Sequence, residues 1–158
     1  MNANWPRWVF ASMVKHFKDE LDAYGYNVYF EGQHRENRTS AVQIEIRIDG
    51  PYLLEVSNNY WEIFNEVNIL VSHAMNDTYF LGIHDVVGKI ALAFKPIKIY
   101  KLGPNVTDDG SFVFCMNNEM DYKIGKKKLM ISHFGQIKPT ERIMQAVVEG
   151  HYSTRVKG

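Results

Sequence analysis

Three acidic residues, Glu45, Asp49 and Glu55, lie along one stretch of alternating apolar residues. Carboxylates grouped in this way could hold Mg²⁺ and activate a water molecule for hydrolysis. A nuclease of the PD-(D/E)xK kind also needs a second acid and a lysine two residues apart on one strand. Arg47 stands two positions after Glu45 and Ser57 two positions after Glu55, so that lysine is missing. The solvated face of a strand explains these acids better.

Histidine is the other residue type that could bring metal chemistry, and the chain has six, at positions 16, 34, 73, 84, 133 and 151. None forms an HxH or HExxH pattern, so no metal spacing is present. His84-Asp85 matches the HD pair of metal-dependent phosphohydrolases, but no further His and Asp ligands stand nearby. A small metal-dependent nuclease or hydrolase using Glu45, Asp49 and His84 is kept as an alternative.

Nucleophile and nucleotide motifs are absent from the sequence. There is no GxSxG, no GxGxxG and no GxxxxGK[ST]. Cys115 is the only cysteine and lies in the apolar segment FVFCM, which predicts a core residue and excludes an internal disulfide. We therefore predict no catalytic, cofactor-binding or metal-binding residue, and a protein that is not an enzyme.

Length and charge narrow the function classes further. At 158 residues the chain, 1–158, is long enough for one domain with a substantial core. Its 18 basic and 18 acidic residues cancel, which disfavours general nucleic-acid binding. No apolar run approaches the ~18–20 residues of a membrane span, and the N-terminus does not have the pattern of a signal peptide. We expect synthesis in a cytoplasm and no membrane partner.

Two long segments alternate between apolar and polar residues, which is typical of half-buried strands. In Ala41–Asp49 the residues Val42, Ile44, Ile46 and Ile48 share a face, and in Tyr60–His73 the residues Ile63, Val67, Ile69 and Val71 do so. Gly50-Pro51 and Ser57-Asn58-Asn59 interrupt the alternation. We predict a long hairpin whose tip, from Asp49 to Asn59, is a mobile loop.

Two amphipathic helices flank this hairpin. The first is predicted from about Pro6 to Tyr24, with a buried stripe of Phe10, Met13, Val14, Phe17, Leu21 and Tyr24. The second is predicted from about Thr78 to Phe94, with Gly82 and Gly88 allowing close packing on a sheet. A short strand over 26–31 and three or four strands after residue 96 complete the order. This order predicts an α+β fold with a mixed, mainly antiparallel sheet packed by the two helices.

The element order resembles the tail-terminator, or tail-completion, proteins that form the neck of tailed bacteriophages. The similarity lies in a helix (PRWVFASMVKHFKDELDAY), a strand (YNVYF), a long strand pair (AVQIEIRIDG and YWEIFNEVNILVS), a second helix (NDTYFLGIHDVVGKIALAF) and final strands near QAVVEGHYSTRV. The segment W-x-I-x-x-E-V-x-I-L-V before a turn and helix is similar to neck-protein sequences. The region from Asn117 to Lys138 is longer than a minimal member requires, which leaves the subtype open.

The resemblance implies a structural virion protein with no substrate or cofactor. Such a protein forms a ring, typically a hexamer, that ends the tail tube and docks to the head connector. Its partners would be the tail-tube and head-connector proteins, with genome DNA only passing through the lumen. A head-closure or tail-tube protein is the related alternative. We expect partner contacts at the cationic run and at the hairpin tip: Lys126, Lys127, Lys128, Asp49, Glu55, Asn58 and Asn59.

Overall fold

The structure is a computed structural model that describes residues 2–31, 42–74, 82–103, 106–118, 129–138 and 141–158. It contains the helices α1 (Trp5–Asp22) and α2 (Gly82–Ala93). The strands are β1 (Asn27–Phe30), β2 (Val42–Ser57), β3 (Tyr60–Ala74), β4 (Ile97–Tyr100), β5 (Phe112–Asn118), β6 (Leu129–Lys138) and β7 (Glu141–Lys157). No helix among these residues is long and apolar enough to cross a membrane.

The sheet is organised around β3, which pairs along its whole length with two antiparallel neighbours. One ladder joins β3 to β2, from Ser57–Tyr60 to Val42–His73, and the other joins it to β7. β1 adds to β2 in parallel, and β6 and β5 add to the other edge of β7. The strand order is β1-β2-β3-β7-β5-β4, with β6 also on β7. The predicted α+β class with a mainly antiparallel mixed sheet is confirmed.

One face of this sheet forms the core, as the alternation predicted. Ile44 and Ile46 of β2 are fully buried, and so are Ile63, Val67, Ile69 and Val71 of β3. Both helices contribute to the same core cluster, so they pack on this inner face. The outer face carries the polar residues of the same strands and stays partly accessible.

Helix α1 buries a different arc from the predicted stripe. Met13, Phe17 and Leu21 are fully buried, but Phe10 and Tyr24 are 45% and 43% exposed. The first turns instead bury Trp5, Trp8 and Val9. The reason is tertiary: the β4–β5 region covers this end of the helix. The Trp5 ring meets Phe114 edge-on at 5.7 Å, and Trp8 Nε1 donates to the Asp108 carboxylate at 2.9 Å.

The prediction for α2 holds where the helix is described. Ile83, Val86, Val87 and Ile90 are buried against the sheet. The role proposed for Gly88 is wrong, because this glycine is exposed and a Cβ there would meet no atom within 4 Å. Cys115 is half-buried rather than a core residue. Thr78 and Tyr79 lie outside the described residues.

The prediction of a loop from Asp49 to Asn59 is wrong, because β2 continues through this segment as far as Ser57. Gly50-Pro51 forms a bulge in the β2–β3 ladder, where the register shifts between Asp49 and Tyr52. Gly50 has a φ of 103°, and a Cβ there would lie 3.0 Å from the Phe64 carbonyl oxygen. A β-bulge accommodates such a residue without ending the pairing, so the turn signal marks a bulge.

Replacing Ile46 with Asp tests the face assignment. The side chain is fully buried in the middle of β2, so a carboxylate there would have no water to solvate it. We expect a loss of several kcal/mol in the free energy of unfolding, measured by urea denaturation. Gln43→Asp, on the partly exposed outer face of the same strand, serves as the control and should cost about 1 kcal/mol or less. Equal losses in both variants would contradict the assignment.

Tyr152 gives a pH dependence with a defined sign. Its ring is fully buried and its hydroxyl donates to the Lys95 carbonyl oxygen at 2.9 Å. Burial raises the pKa of this phenol, so the folded protein keeps it neutral, whereas the unfolded chain releases the proton above about pH 10. The contribution to stability is therefore complete below about pH 10 and is lost as the pH rises further.

Replacing Tyr152 with Phe should cost about 1 kcal/mol at pH 7, because a buried hydrogen bond is lost. Above pH 10 the variant should lose stability less steeply than the wild type, since it has no phenol to ionise. Urea unfolding at pH 7 and at pH 10.5 measures both effects. Parallel pH curves for the two proteins would rule out this linkage.

Candidate assembly surface

The β2–β3–β7 sheet carries exposed apolar residues at one end. We call this end the distal ribbon: residues 52–57 of β2, 60–64 of β3 and 153–157 of β7. Tyr52 and Phe64 lie directly opposite each other and stack at 5.1 Å between ring centroids, yet they are 51% and 39% exposed. Leu54, Val56 and Tyr60 are also exposed. Contiguous exposed apolar residues are common at interaction sites, so the distal ribbon is a candidate assembly surface.

The ribbon is an ordered part of the fold. On its inner face Leu53, Trp61 and Val156 pack against the edge of the core. At its tip Asn59 adopts a φ of 66°, which asparagine tolerates better than other residues with a side chain. The backbone N–H of Gly158 donates to the Asn59 carbonyl oxygen at 2.7 Å, so the backbone that follows β7 is tied to the turn.

A second apolar surface lies on β6. Met130, Ile131 and Phe134 are 43%, 44% and 61% exposed. Because neighbouring residues in a strand point to opposite faces, β6 is apolar and accessible on both. β6 pairs with β7 on one side, and no strand of the described chain pairs with its other side. A strand of this kind is a ready template for pairing with another chain.

The sheet therefore has open edges on opposite sides. On the far side from β6, β1 pairs only with residues 43–46 of β2. Residues 47–57 of β2 have no strand beside them on that side within the described part of the chain. One open edge belongs to the distal ribbon and the other is β6.

The structure places the predicted contact residues of the hairpin on or beside the ribbon. Glu55 is exposed on it, and Asn58 and Asn59 form its turn. Asp49 lies at its base, where its carboxylate is 3.5 Å from the Arg47 guanidinium. Lys126, Lys127 and Lys128 lie outside the described residues.

The residues of the enzyme alternative are not brought together. Glu45 and Asp49 alternate with the core residues of β2 and so point to the outer face. His84 lies on α2, which packs on the inner face, and its ring stands 4.6 Å from that of His133. The sheet separates the acids from the histidine, so they do not form one metal site.

A groove of about 300 Å³ runs between α1 and β4, and four of its charged lining residues form two ion pairs. Lys15 bonds Asp19 at 2.7 Å, and Lys95 bonds Glu20 at 2.7 Å. These pairs are partly or well exposed to solvent. The groove does not present a converging set of groups for a ligand.

Sequence reasoning missed one group of potential ligands on the outer face. One ligand atom each from Glu66, Glu149 and His151 lies within 4.8 Å of the other two. Glu149 and His151 are two residues apart on β7, a spacing that places both on one face of a strand. That spacing is readable from the sequence, but the position of Glu66 depends on the β3–β7 register.

Comparison with known proteins adds no family assignment. No protein-family model matches the chain, and no curated protein is significantly similar to it.

Substitution of Asn59 tests whether the turn holds the ribbon in place. Asn59→Gly should be tolerated, because glycine adopts a positive φ freely. Asn59→Val should weaken the turn by about 1–2 kcal/mol, because a β-branched residue is strained in that conformation. Hydrogen exchange of the ribbon amides should be faster in Asn59→Val only. Faster exchange in both variants would contradict the role of the positive φ.

Proposed function

We propose that this protein acts by stoichiometric assembly, as the subunit of a ring that ends the tail tube of a tailed bacteriophage. The observation that carries the proposal is the pair of open apolar edges on opposite sides of one sheet. The element order similar to tail-terminator proteins supports the phage context. The proposal needs no catalytic group.

Two different edges favour a ring over a simple dimer. A two-fold dimer uses the same patch on both subunits, whereas a head-to-tail contact joins two different patches. Repetition of a head-to-tail contact closes a ring when the rotation between neighbours divides a full turn. Pairing the β6 edge of one subunit with the distal ribbon of the next would give such a contact.

The chemistry of the two edges suits this pairing. Backbone N–H and C=O groups along both edges can form a ladder, as in strand addition between proteins. Contact between the edges would bury apolar side chains on both sides: Phe134 and Ile131 of β6, and Tyr52 and Leu54 of the distal ribbon. Burial of apolar area contributes roughly 25 cal/mol per Å² before the cost of association.

In this role the ring stacks on the last layer of the tail-tube protein and presents its other face to the head connector. Genome DNA passes through the lumen without sequence-specific contact. The neutral chain is suited to that passage, because a strongly basic lumen would hold DNA by counterion release. The protein would then be found in the virion neck or tail.

Substitution of one apolar residue by glutamate at each edge tests how the subunits assemble. Phe134→Glu should block the β6 edge and Leu54→Glu the ribbon, so each variant alone should be monomeric by light scattering and native mass spectrometry. Mixed together, they should form a one-to-one dimer through their intact edges. Leu92→Glu is the matched control, because Leu92 is an apolar residue that is 73% exposed on α2 and belongs to neither strand edge. It should assemble like the wild type.

The wild type should form closed rings, alone or on purified tail tubes. Homodimers of Phe134→Glu or Leu54→Glu would show a two-fold interface and refute the head-to-tail arrangement. Open tubes would favour the tail-tube alternative. In infected cells, loss of the protein should give tails of uncontrolled length or tails that do not join heads. Normal particles without the protein would overturn the proposal.

A further inference from the structure

The outer face of the sheet brings three metal-binding side chains together at the base of the distal ribbon. Glu66 of β3 lies directly opposite His151 of β7, and Glu149 lies two residues before His151 on the same strand. All three side chains are half-buried. Asn118 Nδ2 donates to the His151 carbonyl oxygen at 2.9 Å, which holds β7 at this point.

We infer that Glu66, Glu149 and His151 bind a divalent transition metal ion of the Zn²⁺ type. The set combines two carboxylates with one imidazole, and these are oxygen and nitrogen ligands that Zn²⁺ accepts in proteins. An imidazole also favours such metals over Mg²⁺ and Ca²⁺, which prefer oxygen ligands alone. This inference holds for the single subunit and does not depend on ring assembly.

The distances suit a site that closes on the ion. Ligand atoms about 2.1 Å from a tetrahedral Zn²⁺ lie roughly 3.4 Å from one another. The three ligand atoms lie within 4.8 Å of one another, and a change of rotamer at Glu66 or Glu149 can shorten that separation. Asp49 lies opposite Glu66 on β2, so a further carboxylate stands in the same cross-strand row.

The proposed ion links β3 to β7 where the sheet passes from its polar outer face to the apolar ribbon. A bound ion would hold the two strands together at the base of the ribbon and slow its local opening. Metal and protons compete for the same three groups, so binding should weaken as the pH falls.

The competing explanation is that the three side chains interact with one another without any metal. Titration with Co²⁺, which reports its ligand geometry by visible absorption, distinguishes the two, with Zn²⁺ added afterwards as competitor. We expect one saturable site per chain. Glu66→Gln, Glu149→Gln and His151→Gln should each weaken Co²⁺ binding at least roughly tenfold.

Two controls locate the site. Glu62→Gln changes a carboxylate on the same strand and face as Glu66 and should leave binding unchanged. His133→Gln removes a ring of the His84–His133 pair and should also leave it unchanged. Absence of saturable Co²⁺ binding, or loss of binding in His133→Gln with retention in His151→Gln, would overturn the inference. Circular dichroism of each variant shows whether the fold is kept.

Discussion

The fold depends on the double pairing of β3, which must match β2 on one side and β7 on the other over nearly its whole length. Because side chains alternate between the two faces, a shift of one residue in either ladder would turn an apolar row toward water. Ile63, Val67, Ile69 and Val71 therefore fix the inner face for three strands at once. The inner face set in this way determines where the helices pack, where the core forms and which face of the sheet is polar.

The same pairing explains why apolar side chains of the sheet remain exposed. The paired strands are long, and the two helices cover only part of the inner face of the sheet that these strands form. At one end, Tyr52 and Phe64 stack on each other but stay accessible to solvent. Along the side, β6 pairs through one edge alone among the residues that the structure describes. Both features leave large apolar side chains in contact with solvent.

Local sequence signals predicted which segments are helices and strands well. They predicted less well how those segments pair and which of their residues are buried. Gly50-Pro51 is a strong turn signal, yet the β2–β3 pairing continues across it because a bulge absorbs the extra residue. Phe10 of α1 and Tyr24, which lies just beyond its end, fit the helical period but are exposed. Trp8 takes the buried position because Asp108, far along the chain, offers its side chain a hydrogen-bond partner. Such long-range contacts leave no trace in a local pattern.

The sequence by itself determined the α+β class, the two helices and the inner faces of β2 and β3, because these depend on periods of 3.6 and 2.0 residues within one segment. Only the tertiary structure decided which strands are neighbours and in what register. That register places Glu66 opposite His151, and among the described strands it leaves residues 47–57 of β2 and the β6 edge open on opposite sides. Pairing between distant segments is set by the packing of the whole chain, so the grouping of Glu66, Glu149 and His151 and the two exposed strand edges became visible only in the folded molecule.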